Sequence, residues 1–77
     1  MKVTKYSGEL VHYDEQKLIN SLRKSGADQA VAETIVKEIE SEMYEGISSK
    51  RIYKRAYQLL KNISNVHAAR YNLRTAL

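Results

Sequence analysis

The sequence contains no cysteine and no proline, and only three of its 77 residues are glycine. Without cysteine the chain can form neither a disulfide nor a thiolate metal site. Its two histidines are too few for a zinc site built from nitrogen ligands. The lack of proline and the scarcity of glycine favour regular elements joined by tight connections.

Long apolar runs are also absent. No segment approaches the ~18 apolar residues needed to cross a bilayer, and Met1 is not followed by the apolar core of a signal peptide. We therefore expect a cytoplasmic protein without a membrane segment. A chain of 77 residues forms one small domain that buries a modest fraction of its surface, so we do not expect a large internal active site.

Charge is distributed unevenly along the chain, although the formal net charge is only +4. Residues 27–46 contain six acidic side chains and one basic one, whereas residues 47–77 contain seven basic side chains and no acidic one. One predicted helix is therefore acidic and the next is basic. This pattern has two interpretations: attraction between neighbouring helices, or a positive field that draws in a polyanion.

Two short strand-like segments flank Ser7-Gly8 and predict a β-hairpin over residues 2–13 with a two-residue turn, because glycine tolerates the positive φ of such turns. Tyr6 would then pair with Glu9. This register places four side chains on one face, namely Val3, Lys5, Leu10 and His12. A lysine on an apolar face is costly unless its ammonium group reaches water or a ligand.

Helices are predicted after the hairpin from capping residues and from apolar residues at helical spacing. Asp14, Asp28 and Ser48 are suitable N-caps, and Gly26 and Gly46 follow two of the helices. The predicted helices cover about residues 15–25, 29–45, 49–61 and 65–76. A lone hairpin is barely stable, so we expect it to pack on the helices. The predicted fold class is therefore α+β, with an N-terminal β-hairpin packed on a bundle of about four short helices.

Four segments in a fixed order then suggest a family. The chain contains Val3-Thr4-Lys5-Tyr6-Ser7-Gly8, a first helix with a lysine in its first turn, Tyr44-Glu45-Gly46-Ile47-Ser48-Ser49 before Ile52, and Ala68-Ala69-Arg70-Tyr71. Together they resemble the ATP-cone from Val3 to about Leu77. The ATP-cone is the nucleotide-sensing module found at the N-terminus of many ribonucleotide reductases and in the repressor of their genes.

The resemblance implies a set of nucleotide-binding residues. In the family, the lysine of the Val-x-Lys motif and the lysine at the start of the first helix line the site, and they match Lys5 and Lys17. Ser49 matches a threonine that helps hold the ligand. Positions that build the slot around the base and sugar are occupied here by Val3, Tyr13, Leu18 and Ile52.

Three further residues have two interpretations each. Tyr6 and Tyr53 could stack on a base or merely pack, and Arg70 could reach a phosphate or face solvent. The position of Lys17 supports its assignment as well, because the first turn of a helix favours anions.

The chain departs from the family pattern at two places: Tyr6-Ser7 replaces a usual Arg-Asp, and Val11 stands where many members have glutamate.

Function follows from the resemblance. It implies an allosteric regulatory domain that binds ATP or dATP, with Mg²⁺ entering only through the nucleotide, and that is excised from a larger enzyme or transcriptional regulator. Its partners would be the adenine nucleotide, the attached module or a second copy. The sequence has no Ser-His-Asp spacing, Gly-rich phosphate loop or thiol, so we do not expect an enzyme.

Two alternatives stay open at this point. The first is a degenerate cone that has lost its ligand and acts as an interaction or dimerisation domain. The second is a small nucleic-acid-binding module that uses the basic residues of the third helix, Arg51, Lys54, Arg55 and Lys61.

Overall fold

The structure, a computed structural model, describes residues 1–63. Two strands come first, β1 (Lys2–Thr4) and β2 (Leu10–His12), and three helices follow, α1 (Glu15–Lys24), α2 (Gln29–Glu42) and α3 (Ser49–Ile63). This arrangement confirms the α+β class with an N-terminal hairpin. The predicted fourth helix, at 65–76, lies outside the described residues.

The hairpin loop is one residue longer than expected. The strands pair Lys2 with His12, Val3 with Val11 and Thr4 with Leu10. The loop is closed by a hydrogen bond from the Lys5 N–H to the Glu9 carbonyl, with an N···O distance of 2.7 Å. Gly8 donates its N–H to the Lys5 carbonyl, and its φ is +89°. The predicted two-residue turn is therefore wrong, because the chain uses a three-residue loop that ends on a left-handed glycine.

That extra residue moves the pairing register by one position, which turns each side chain of β2 to the other face. Val11 therefore shares the face of Val3 and packs against the core, whereas the Leu10 side chain is 56% exposed. The predicted face is wrong for Leu10 and His12. Lys5 stays on the face of Val3, as the period of two in a strand requires.

A segment far along the chain pairs with the free edge of β1. We call residues 45–48 the strap, because they tie β1 to the start of α3. The Thr4 N–H donates to the Ile47 carbonyl, and the Gly46 N–H donates to the Lys2 carbonyl, both with N···O distances of 2.9 Å. The Thr4 hydroxyl adds a hydrogen bond of 2.7 Å to the Gly46 carbonyl. Gly46 has a φ of +84°, which a glycine adopts without strain.

Each helix begins at a side-chain cap. The Asp14 carboxylate accepts from the Lys17 N–H at 3.1 Å, and Asp28 does the same for α2. The Ser48 hydroxyl accepts from the Arg51 N–H at 3.1 Å at the start of α3. Helix α2 ends at Glu42, three residues before the expected end, because the backbone becomes extended there and runs toward β1 as the strap.

The core lies where α2 packs against both α1 and α3, with the hairpin beside them. Apolar residues at helical spacing on all three helices point inward, as their periodicity predicts. The buried apolar residues are Val3, Leu18, Ile19, Leu22, Ala27, Ala32, Ile35, Val36, Ile39, Ile47, Ile52, Ala56 and Leu60.

Two carboxyl groups meet between α1 and α2. A hydrogen bond with the Glu40 carboxyl group, followed by the repulsion between the two charges and by partial desolvation, raises the pKa of Glu15, and Lys37 opposes this rise. A carboxyl whose pKa is higher in the folded state than in the unfolded state favours folding while it is protonated. Its contribution is lost as the pH rises above the ordinary carboxyl range.

The strap yields a first prediction. Thr4→Val removes the hydroxyl that binds the Gly46 carbonyl but keeps the shape of the side chain, so we expect a loss of about 1 kcal/mol in the free energy of unfolding. Urea denaturation measures this loss. Thr34→Val is the matched control, because its exposed hydroxyl binds only a carbonyl of its own helix. Equal effects of the two substitutions would contradict a stabilising role for the strap.

The Glu15–Glu40 pair yields a second prediction. Glu40→Gln removes the repulsion, and it also removes a negative charge from the C-terminal part of α2, where the helix dipole disfavours it. We expect a higher melting temperature than that of the unaltered chain at pH 7, and a smaller difference at acidic pH. Thermal unfolding followed by circular dichroism tests this, with Glu33→Gln on the same helix as the control. A lower melting temperature for Glu40→Gln would exclude this account.

Candidate functional site

A cavity of about 820 Å³ lies between the hairpin, the start of α1 and the start of α3. Its volume is within the usual range for small-molecule sites. The strap makes this cavity possible, because it holds the first turn of α3 beside β1. Three segments that are distant in the sequence therefore share its walls.

Nine of the ten residues predicted from the sequence to bind a nucleotide line this one cavity. They are Val3, Lys5, Tyr6, Tyr13, Lys17, Leu18, Ser49, Ile52 and Tyr53. The tenth, Arg70, lies outside the described residues. The structure thus brings together residues that the sequence analysis took from three separate segments.

Three buried aliphatic side chains line part of the cavity. Val3 from β1, Leu18 from α1 and Ile52 from α3 are each at most 6% exposed. Val11 adds to this surface, because the true register turns it inward. An apolar surface of this kind suits the face of a planar ring, which leaves water when it binds there.

Aromatic side chains line other parts of the cavity. Tyr53 and Tyr57 lie one turn apart on α3, and both are half-buried against the core. Tyr6, in the hairpin loop, is 92% exposed. The packing of Tyr53 means that it has a structural role whether or not it contacts a ligand, whereas Tyr6 packs little in the protein and is open to contact with a ligand ring.

Positive charge dominates the polar lining. Among residues 1–63, four lysines line the cavity, Lys5, Lys17, Lys50 and Lys54, against a single carboxylate, that of Asp14. The Lys5 ammonium group lies 3.8 Å from the Glu9 carboxylate, and both side chains are more than half exposed, so this ion pair is weak. Within residues 1–63, no ion pair or hydrogen bond holds the other three ammonium groups.

Two helix N-termini contribute to the cavity, and their caps differ. Helix α1 begins with the Asp14 carboxylate and has Glu15 in its first turn. Helix α3 begins with the neutral Ser48 hydroxyl and has no acidic residue in its first turn. Because negative side chains already offset the dipole of α1, the start of α3 offers an anion the stronger attraction.

Tyr13 lines the cavity, but its hydroxyl is buried near Glu40, and in the part of the chain described here it has no hydrogen-bond partner of standard geometry. Burial raises the pKa of this phenol, and the nearby Glu40 carboxylate raises it further. Tyr13 is therefore neutral at physiological pH.

Six lining residues were not among those predicted, namely Val11, His12, Asp14, Lys50, Lys54 and Tyr57. Val11 was not predicted because it departs from the glutamate usual in the family. The residues of α3 have a recognisable spacing, because positions 50, 54 and 57 fall on the helical side that also carries Tyr53. That spacing was a usable signal once Ser49 had been assigned to the site.

The basic residues of α3 differ in their hydrogen-bond partners. Arg51 donates to the Tyr44 hydroxyl at 3.1 Å, and Arg55 makes a two-pronged contact with the Glu42 carboxylate at 3.0 and 3.1 Å. These hydrogen bonds raise the pKa of Arg55 still further. Both arginines line a smaller groove of about 380 Å³ between α2 and α3. In the described part of the chain, one exposed ion pair, between Glu42 and Arg55, joins the acidic helix to the basic one.

No helix within residues 1–63 is long and apolar enough to cross a membrane. The same residues contain no cluster of three or more histidine or carboxylate side chains that could hold a metal ion.

Comparison with known proteins gives one match. The model of the ATP cone domain family matches residues 1–75 of the 77-residue chain. No curated protein and no solved structure gives a significant match. The matched segment includes the hairpin, α1, α2, α3 and all the described residues that line the cavity. The chain therefore belongs to the ATP-cone domain family, whose members are nucleotide-binding regulatory modules.

Proposed function

We propose that this chain is an allosteric regulatory domain that binds ATP or dATP in the cavity between the hairpin, α1 and α3. One observation carries the proposal: nine residues taken from three separate segments line one cavity with an apolar part and a cationic part. A nucleotide has the same division, since its base is planar and weakly polar and its phosphates are anionic. In this proposal the domain itself does not catalyse a reaction, since a regulatory domain needs no reacting group of its own.

Each part of the nucleotide has a matching surface. The base lies against the buried side chains of Val3, Leu18 and Ile52, where its burial removes apolar surface from water. The Ser49 hydroxyl, in the first turn of α3, is placed to bind the ribose or the nearest phosphate. Lys5 and Lys17 supply charge for the phosphates from the hairpin and from α1.

Magnesium would be carried by the nucleotide rather than by the protein. Mg²⁺ prefers oxygen ligands in octahedral geometry, and the only carboxylate lining the described cavity is that of Asp14. That carboxylate already accepts the hydrogen bond that caps α1. Oxygen atoms of the phosphates, and not side chains of the protein, would therefore coordinate the Mg²⁺ ion.

Regulation would follow from the position of the cavity. A nucleotide bound there contacts the hairpin and two helices at once, so it favours one relative arrangement of these elements. Such a ligand shifts an equilibrium only through its different affinities for the two states. The partner that reads this shift would be an attached catalytic or DNA-binding module of a larger protein, or a second copy of the chain.

A second candidate function has specific support as well. Val11 occupies a position where many family members have glutamate, and here it packs against the core instead of offering a polar group. Tyr6 replaces the usual arginine and leaves an aromatic ring 92% exposed. These two features favour an interaction or dimerisation domain that binds no nucleotide. They leave the fold unchanged, so only a binding experiment separates the two functions.

A third prediction tests the nucleotide site directly. A heteronuclear NMR titration with ATP, dATP and GTP, with and without Mg²⁺, should give saturable shifts at residues 3–18 and 49–53 for the adenine nucleotides. Absence of shifts at millimolar nucleotide, together with association that depends on protein concentration, would support the interaction domain instead.

A fourth prediction concerns Lys17. Lys17→Ala removes an exposed ammonium group at the start of α1, so we expect ATP affinity to fall about tenfold, which corresponds to about 1.4 kcal/mol. Lys24→Ala is the matched control, since Lys24 is an exposed lysine in the last turn of the same helix and does not line the cavity. Titration calorimetry measures both, and a circular dichroism spectrum checks the fold. The same loss in the two variants would argue for a general charge effect in place of a contact.

A further inference from the structure

Two lysines of α3 line the cavity in addition to those predicted from the sequence. Lys50 lies in the first turn of α3 and Lys54 lies one turn later, so both project toward the same side of the helix. Lys5 and Lys17 reach the cavity from the hairpin and from α1. Lysines therefore enter it from opposite walls.

The basic residues of α3 divide into two groups according to their partners. Arg51 and Arg55 are held by Tyr44 and Glu42 in the groove beside α2. Lys50 and Lys54 have no hydrogen bond or ion pair at their ammonium groups within residues 1–63. Lys54 lines both the groove and the cavity, at the ridge that separates them. These two lysines are therefore available to an anionic ligand without breaking a contact.

The surroundings make the α3 wall the more positive of the two. The segment from Ser49 to Ile63 contains no acidic residue, and its cap is neutral. On the opposite wall Lys5 lies beside Glu9, and Lys17 follows Asp14 and Glu15. The hairpin loop adds no charge of its own, since Tyr6 and Ser7 are neutral. Phosphate groups are therefore attracted more strongly toward α3.

We propose that Lys50 and Lys54 contact the phosphates of the bound nucleotide, so that lysines from both walls of the cavity neutralise its polyphosphate. This inference rests on the proposed nucleotide site and assigns the part of the ligand that α3 binds. The apolar part of the cavity takes the base, and the polyphosphate lies toward the start of α3. Affinity then depends on the number of phosphates, and the polyphosphate needs no metal ion for its neutralisation.

Calorimetric titration of the full chain with ATP, ADP and AMP tests the inference. Lys50→Ala and Lys54→Ala should each raise the Kd for ATP about tenfold, the Kd for ADP less, and the Kd for AMP by less than about twofold, since a charge-assisted contact is lost only where a phosphate reaches it. Lys61→Ala is the control, because Lys61 lies on the same helix outside the cavity. Lys54→Arg should keep most of the ATP affinity.

The outcomes separate this inference from the proposed function. Unchanged ATP affinity in both alanine variants, or an equal loss for ATP and AMP, would overturn the inference while the nucleotide site stands. A loss of ATP binding on chelation of Mg²⁺ with EDTA would overturn it as well. Failure of the unaltered chain to bind ATP would overturn the proposed function, and this inference with it. Circular dichroism of the variants distinguishes lost contacts from lost folding.

Discussion

The pairing of the strap with β1 is the interaction on which the rest of this structure depends. Its hydrogen bonds join residues 2–4 to residues 46–47, more than 40 positions apart in the chain. A two-stranded hairpin of three residues per strand is barely stable alone, and the strap gives its inner strand a second partner. The same hydrogen bonds place the first turn of α3 beside the hairpin. Without them the cavity would lack one of its walls.

Charge has two separate roles in this domain. Between α2 and α3, the Glu42 carboxylate accepts hydrogen bonds from the Arg55 guanidinium. Around the cavity, lysines from the hairpin, α1 and α3 are left with weak acidic partners or none in the described part of the chain. A net charge of +4 for the chain does not reveal this division. The two roles arise because one side of α3 contacts the acidic helix α2 and the other side lines the open cavity.

The hairpin shows why the register is hard to predict. Ser7-Gly8 is a good two-residue turn by composition, and the real loop includes Tyr6 as well, with the same glycine in a left-handed conformation. Both loops satisfy the local rules for turns. The choice is made by burial, because only the observed register places Val3 and Val11 together against the core. A local pattern does not contain that information, and Leu10 and His12 were assigned to the wrong face for this reason.

Caps and helical periodicity are local properties, so the sequence by itself determined the elements and the fold class. The order of its motifs carried the resemblance to the ATP-cone family, and that resemblance supplied most of the residues of the candidate site. Asp14, Ser48 and the apolar spacing of the helices acted within a few residues of where they lie. Only the tertiary structure decided the register of the hairpin, the early end of α2 and the approach of α3 to the hairpin. Each of these depends on contacts between segments that are distant in the sequence. The strap makes such contacts through backbone hydrogen bonds, which almost any residue can form and which the sequence therefore does not reveal.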